Sequence, residues 1–373
     1  MKIAIYANEL NKESESGVKV YTREIIKALL KHDSRNTYYA YMKSGNRGQT
    51  SEVDKLGKEC GLVVKKSGSG MPFWTYAQFP GELRKDAPDV LFMPIQAVPF
   101  VVKPKNMRLV VTVHDVAYLL FPEHFTPIKR ILLDFHTKRA IRMADAIIVP
   151  SMATKNDIIK HYAASADKIT VIYHGTFKSR ESSPVDENIS KVVESYRPYI
   201  LFIGSIQPRK NISALIYAFN KIKSARQSSL KLVICGPKGW MHEKTFETAK
   251  TSPFSEDIIF TGNVIKDQLN CLYERAMIFA MPSLYEGFGL PVIEAMSCGL
   301  PCVVSRNSSL AEIGKDAALF FDPYDVSDIA KKIALFLDDE KLRAEYSQKS
   351  FERAKFFNWE KAAKMHLDVF EAR

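Results

Sequence analysis

The sequence predicts an alternating α/β protein built on two doubly wound parallel sheets. Three observations carry that prediction. The chain has 373 residues, 46% hydrophobic and 25% charged, long for one domain and enough for two sizeable cores. Short, near-continuous apolar runs alternate with helical periodicity, the pattern of strands covered on both faces. The pattern then breaks at a polar stretch containing Pro184, Lys178–Ser195, which reads as a linker, and restarts with a strand at Tyr199.

In chain order, Lys2–Tyr6 is the first strand. The polar stretch Asn8–Gly17 ends in Ser16–Gly17, before a helix over Val18–Lys31 with apolar Val18, Tyr21, Ile25 and Leu29. Further strands are expected at Thr37–Met42, Leu62–Val64, Val90–Met93, Leu109–Val113 and Ala146–Val149. His114–Asp115 follows a strand, at the carboxyl end where such sheets bind ligands; it reads equally as a capped loop. Around the glycine-rich Ser67–Gly70, Phe73, Trp74, Tyr76 and Phe79 read as an acceptor or interfacial patch, or as a packed helix start. A helix is expected over Pro127–Ala144. Its Ile128, Ile131, Leu132 and Phe135 are interleaved with Lys129, Arg130, Lys138, Arg139 and Arg142, which suits a solvated face or a membrane contact. Lys168–Phe177 closes this half, with Gly175 after a strand.

The second half opens with the strand Tyr199–Ile203, then Gly204-Ser205-Ile206-Gln207-Pro208-Arg209-Lys210-Asn211 and a helix from Ile212. Two cations at a helix start oppose the helix dipole. They suit a bound anion, with Arg209 forking onto phosphate oxygens and Lys210 supplying a point charge. The other reading is a solvent-exposed basic turn. Asn211 is the expected N-cap. Strands follow at Leu230–Cys235 and Ile258–Phe260, the latter leading into Gly262-Asn263-Val264.

After a strand at Met277–Met281 comes PSLYEGFGLPVIEAMSCGLP, Pro282–Pro301. Glu286 and Glu294 bracket a glycine-rich strand-to-helix corner, Gly287-Phe288-Gly289-Leu290, with Pro291 in the first helical turn and a Gly299-Leu300-Pro301 ending. The exposed N–H groups of such a corner sit at the positive end of a helix dipole and suit a phosphate. A carboxylate on each side can accept hydrogen bonds from hydroxyl groups. Phosphate in the middle and polyols at both ends describe a nucleotide sugar. The corner alone also reads as a tight turn, with Glu294 on a solvated face.

The five cysteines, Cys60, Cys235, Cys271, Cys298 and Cys302, are scattered and odd in number, which argues for buried thiols in a reducing compartment and against a metal site. The start, MKIAIYANEL, is strand-like and lacks a signal-peptide apolar region, and no apolar run approaches the ~20 residues that span a bilayer. A cytoplasmic protein is expected. Residues 1–180 carry 28 basic and 17 acidic side chains, whereas residues 181–373 carry 25 of each. All of the excess of eleven positive charges therefore lies in the first half, with Lys65–Lys66, Arg84–Lys85 and Lys103–Lys105 as contributors. That favours a polyanionic partner; without a nucleic-acid motif, an anionic membrane surface is expected.

The Pro282–Pro301 string resembles the E-x7-E signature of retaining glycosyltransferases of family 4, the glycogen-synthase-like group with the GT-B fold. The resemblance spans essentially the whole chain and is strongest from Tyr199 to Asp322. It implies two Rossmann-like domains with a cleft between them: residues 1–185 for the acceptor and 186–355 for the nucleotide sugar. Residues 356–373 would form a helix crossing back to the first domain. It also implies transfer with retention, without a metal or cofactor, the nucleotide sugar being a substrate. The segment VTVHDVAYLLFPEHF resembles the family's histidine segment, which gives His114 a place facing the donor sugar. Arg209 and Lys210 would hold the diphosphate. Many members carry an arginine directly after the loop glycine; here that residue is Ser205, which puts Arg209's share in question. The resemblance further assigns Gly287, Phe288, Gly289 and Leu290 to the diphosphate, Gly17 to the same group, Glu286 to donor-sugar hydroxyls and Glu294 to the ribose diol. Asn263 and Val264 would close over the base. GPKGW at Gly236–Trp240 resembles a bacterial mannosyltransferase subset that builds surface polysaccharides such as O-antigen. GDP-mannose is thus the donor expected, with a lipid-linked saccharide as acceptor and a peripheral place on the inner face of the membrane. A UDP-sugar donor, a sugar-nucleotide 2-epimerase and a non-catalytic sugar-nucleotide sensor are the alternatives.

Overall fold

The computed structural model describes residues 1–11, 15–44, 52–67, 74–99, 106–176, 187–226 and 228–372. The chain divides into two compact units, Met1–Gly175 with Asn358–Arg373, and Thr176–Phe357.

The first unit is built on a seven-stranded sheet in the order β3-β2-β1-β4-β5-β6-β7. Its strands are β1 (Lys2–Tyr6), β2 (Thr37–Lys43), β3 (Val63–Ser67), β4 (Val90–Met93), β5 (Arg108–Thr112), β6 (Ala146–Val149) and β7 (Ile169–Val171). Every pairing is parallel. β4 and β6 are buried at all four positions, as expected of apolar runs covered on both faces. The expected Leu62–Val64 strand instead runs on through Lys65 and Lys66. As β3 it lies at the sheet edge, where lysines are tolerated and discourage further pairing.

Helix α1 (Gly17–His32) follows β1, and the Ser16 hydroxyl caps it by accepting from the Lys19 N–H at 3.2 Å. Helix α2 (Pro127–Met143) starts with Pro127 in its first turn, capped by Thr126. Trp74 and Phe79 are buried and stack at 5.1 Å, with the Tyr6 ring 5.7 Å from Phe79. These aromatics are core packing, not the acceptor or interfacial patch. Phe73, Gly68–Gly70 and Lys103–Lys105 lie outside the described residues.

The terminal helix, Trp359–Glu371, belongs to this first unit although the second unit intervenes in sequence. Its Ala362, Ala363, Leu367 and Phe370 sit in the same apolar cluster as Ile25 and Leu29 of α1. Burying residues of the size of Leu367 and Phe370 contributes about 1.5–3 kcal/mol each. Arg108 Nε donates to the Val369 carbonyl at 2.9 Å, and Tyr21 Oη pairs with His366 Nε2 at 2.8 Å.

The second unit carries a six-stranded sheet in the order β10-β9-β8-β11-β12-β13. Its strands are β8 (Tyr199–Ile203), β9 (Lys231–Cys235), β10 (Ile258–Gly262), β11 (Ile278–Met281), β12 (Cys302–Ser305) and β13 (Ala318–Phe321), again all parallel. Part of the expected linker is ordered: Glu187–Glu194 forms helix α3. Arg275 holds it, donating to the Ser190 carbonyl and the Glu194 carboxylate, both at 2.9 Å. Residues 178–186 of that stretch lie outside the described residues. Helices α4 (Ile212–Ala225), α5 (Lys266–Arg275) and α6 (Leu290–Ser297) follow β8, β10 and β11. Both sheets reverse winding once, between β1 and β4 and between β8 and β11. In such sheets the crevice at the carboxyl ends of the two strands flanking the reversal is where ligands bind.

Candidate functional site

At the reversal of the second sheet, the turn after β8 meets the corner after β11. Pro208–Lys210 forms one short 3-10 turn, and Asn211 adopts φ 54° before α4 begins. Asn211 is not the side-chain cap expected from the sequence: its Nδ2 donates to the Pro323 carbonyl at 2.7 Å. The left-handed backbone turns that amide away from the helix end, toward the loop after β13.

The Leu284 N–H donates to the Arg209 carbonyl at 2.9 Å, and the Arg209 guanidinium donates to the Tyr285 carbonyl. These bonds bring both cations to Glu286. Lys210 Nζ lies 2.6 Å from Glu286 Oε1, and Arg209 Nη1 lies 3.3 Å from Oε2. All three side chains are about nine-tenths buried. The exposed basic turn offered by the sequence is thereby excluded. Burial alone would raise the Glu286 carboxyl, but Lys210 and then Arg209 outweigh it and hold its pKa at about 2. The cluster thus holds two cations and one carboxylate, a net positive charge in a nearly dry place.

The corner is fixed from behind by two serines. The Glu286 N–H donates to Ser308 Oγ at 2.8 Å, and Ser309 Oγ donates to the carbonyls of Glu286 and Phe288 at 2.9 and 2.6 Å. Gly289 stands at the N-cap of α6 with φ 112°, and a Cβ there would come within 2.8 Å of Leu310 Cδ2. Helix α6 ends on Gly299 at φ 67°, with the Leu300 N–H returning to the Ala295 carbonyl at 3.0 Å. The Phe288 ring is turned inward against Phe357, 5.9 Å between centroids. At that position only the backbone faces the corner.

Glu294, on α6, accepts from Tyr273 Oη at 2.7 Å. Burial, then the adjacent Glu294 carboxylate, push the Tyr273 hydroxyl well above its ordinary pKa, so it remains a donor. Glu294 is therefore a positioned acceptor and not a freely solvated helix residue. Ser205 follows Gly204 in the loop after β8. Asn263 and Val264 follow β10 at the sheet edge, two strands away, with Asn263 exposed.

In the first unit, Gly17 opens α1 after β1, and His114 follows β5. His114 Nε2 lies 2.8 Å from the Pro94 carbonyl, beyond β4. A carbonyl only accepts, so Nε2 carries the proton and Nδ1 is left as an acceptor. Burial lowers the imidazole pKa, against the opposing pull of the Pro94 hydrogen bond and Asp115. Tyr21 meets the His114 ring edge-on at 5.0 Å and stacks on His174 at 4.6 Å, while its hydroxyl pairs with Thr112 and with His366.

Sequence reasoning missed Tyr273, Tyr285, Ser308 and Ser309. The two serines would have been accessible had Cys302–Ser305 been recognised as a strand, which places them on the next loop at the same sheet edge.

Comparison with known proteins bears on this arrangement. Residues 16–179 match the family described as Glycosyltransferase Family 4, and residues 185–353 match Glycosyl transferases group 1. The chain belongs to the glycosyltransferases. It is 29% identical over 267 residues to O-antigen chain mannosyltransferase B of Escherichia coli, covering 71% of this chain and 70% of that one. It is 30% identical over 275 residues to the serotype-specific mannosyltransferase WbdA of the same organism, covering 70% of this chain. It spans about a third of WbdA's length. Among solved structures, Anabaena HepE in complex with UDP and glucose superposes with a TM-score of 0.75 at 18% identity, over 99% of both chains. The two-sheet architecture of this glycosyltransferase is thus the GT-B fold. Among the described residues no helix is long and apolar enough to cross a membrane.

Proposed function

We infer that this glycosyltransferase moves mannose from GDP-mannose to a lipid-linked saccharide, with retention of configuration and without a metal, in cell-surface polysaccharide synthesis at the inner face of the membrane. The observation that carries the reading is the buried Arg209–Lys210–Glu286 cluster at the winding reversal of the second sheet. The mannosyltransferase relatives support mannose as the sugar.

Sugar transfer from a nucleoside diphosphate sugar leaves negative charge on the departing diphosphate. Preorganised donors in a water-poor place stabilise that charge strongly. Lys210 donates to Glu286, and Arg209 donates to Tyr285 and faces Glu286. These two cations, with the N-terminus of α6 at Gly289–Leu290, are assigned to the diphosphate. Glu286, ionised at neutral pH, accepts from donor-sugar hydroxyls, and Glu294 accepts from the ribose diol. Ser205, Asn263, Val264 and Gly17 are assigned to the donor on the family resemblance, as is His114, whose neutral ring offers Nδ1 to a sugar hydroxyl. In the transfer, the bond from the anomeric carbon to the diphosphate oxygen breaks. The acceptor hydroxyl oxygen attacks from the same face, and its proton passes to the departing phosphate.

A thermal-shift panel of GDP-, UDP- and dTDP-sugars tests the donor. A ligand at ~100 times its dissociation constant stabilises the fold by roughly 2.7 kcal/mol. GDP-mannose is expected to give the largest shift, lost in Lys210→Ala and Glu294→Ala, whereas His114→Ala slows turnover more than binding. A larger shift with a UDP-sugar would replace the donor assignment. A shift surviving Lys210→Ala would sink the site. Trapping a covalent glycosyl-enzyme would overturn the same-face mechanism.

A further inference from the structure

Helix α2 packs Leu133, Ile141 and Met143 against the core of its unit, yet carries four further large apolar residues outward. Its buried positions are Thr137 and Ala140. Ile128, Ile131, Leu132 and Phe135, spaced i, i+3, i+4, i+7, are 81, 66, 54 and 46% exposed. That spacing stacks the four on one side of the helix over two turns. Singly exposed apolar residues are ordinary, but a contiguous apolar stripe marks an interaction surface. The same side continues toward the C-terminus as Lys138, Arg139 and Arg142, with Lys129 and Arg130 flanking the apolar end. Five cations stand on this helix against one carboxylate, Asp134. At its basic end a cavity of about 340 Å³ is lined by Lys138, Arg142, Tyr162 and Lys168.

We propose that the outer face of α2 is the surface through which this protein docks onto an anionic membrane, the apolar stripe entering the headgroup–acyl boundary and the basic end and its cavity meeting lipid phosphates. An apolar stripe beside Lys and Arg is the composition of a helix lying in the interface plane. Charge decides the occupant. A second copy packed stripe to stripe would bring the Lys138, Arg139 and Arg142 side of each copy into one interface with only Asp134, 2.7 Å from Lys138, to offset it, whereas an anionic leaflet attracts these cations. The location within the first 180 residues agrees with the charge excess confined there. The inference refines the membrane attachment in the proposed function and rests on that reading; vesicle binding and donor binding are therefore measured separately.

The test is flotation of the full chain with phosphatidylglycerol-rich vesicles and with pure phosphatidylcholine vesicles, at low and high salt. The wild type is expected to float with the anionic vesicles only and to be released by salt. The Ile128→Gln/Ile131→Gln/Leu132→Gln variant removes three exposed side chains and should weaken vesicle binding on the order of 100-fold. Lys138→Glu/Arg142→Glu should remove the preference for anionic vesicles. Phe135→Trp in the otherwise intact chain should blue-shift its emission on anionic vesicles. The donor thermal shift, run on every variant, should stay at the wild-type value; it verifies folding and separates this inference from the donor assignment. Absence of wild-type binding to anionic vesicles, or equal binding by the triple variant, overturns the proposal. So does a concentration-dependent dimer of the wild type that the triple variant abolishes, since the stripe would then be a self-association face.

Discussion

Glu286→Gln separates the two tasks of the buried cluster. In the wild type the carboxylate neutralises cations at 2.6 and 3.3 Å, each side chain about nine-tenths buried. At an effective dielectric of ~20 those separations correspond to gross attractions of about 6 and about 5 kcal/mol. Desolvation of three charges consumes much of that, so the net contribution is smaller. The amide keeps the shape and removes the negative charge that Lys210 and Arg209 face at 2.6 and 3.3 Å. Breaking a buried pair on one side costs about 3–5 kcal/mol. Urea unfolding at neutral pH should show that loss. Nucleoside diphosphate without sugar should reverse the order. With the carboxylate gone, its negative phosphates meet two cations unopposed, so GDP should bind and stabilise the variant more than the wild type while sugar transfer falls. The difference should also be pH-dependent. The Glu286 pKa is about 2 in the folded chain against an ordinary value of 4.5, so its ionisation contributes stability that is complete above about 4.5 and lost as pH falls toward 2. A variant within ~0.5 kcal/mol of wild type, the scatter of ordinary surface changes, would refute the burial argument. Weaker GDP binding by the variant would refute the phosphate assignment.

Three further outcomes are expected. Gly236→Ala should be severely destabilising, because Gly236 has φ 143° and an added Cβ would collide with the Gly204 carbonyl just behind the site; a melting temperature near wild type would contradict the packing of the β8 and β9 loops. Tyr273→Phe removes the donor to Glu294 and should cost roughly 1.5–3 kcal/mol, as hydrogen bonds to charged groups do, with weaker donor binding. Unchanged donor affinity in Tyr273→Phe would separate Glu294 from the ribose. Burial depresses the pKa values of His114, His174 and His366, the last to about 4. These groups bind protons in the unfolded chain that they refuse when folded, so their contribution is complete above about 6.5 and lost as pH falls toward 4. Denaturant titrations between pH 7 and 4 should show that slope, reduced in His366→Gln.

The two sheets were legible because their strands are buried on both faces and read as unbroken apolar runs; β4 and β11 stand almost where the sequence puts them. β12 and β13 gave a weaker signal at the same length of four residues: β12 has only Val303 and Val304 between Cys302 and Ser305, and β13 is half-buried at its two central positions. The corner was legible too, since Gly289, Pro291 and Gly299 are local backbone requirements. What was not legible is the partnership of Glu286 with Arg209 and Lys210, 77 and 76 residues earlier, because spacing within a motif says nothing about which side chain neutralises which across a sheet. The two cations looked like a site waiting for an anion, yet a ligand-free protein cannot keep two buried cations without one. Glu286 supplies it from within the fold, so any incoming phosphate competes with, or shares donors with, a carboxylate already in place.

The outward face of α2 was hidden for a related reason. Apolar residues at i, i+3, i+4 and i+7 form the same pattern whether they face a core or water, and charged residues between them suggest that the charges are the outer face. The packing decides otherwise: Thr137 and Ala140 are buried and Leu133, Ile141 and Met143 pack against the core, which leaves Ile128, Ile131, Leu132 and Phe135 outward. Turned inward beside Leu133, Ile141 and Met143, each of those four side chains would contribute about 1.5–3 kcal/mol. Among the described residues their outward placement forgoes that stabilisation, which docking of the proposed face onto a membrane would recover.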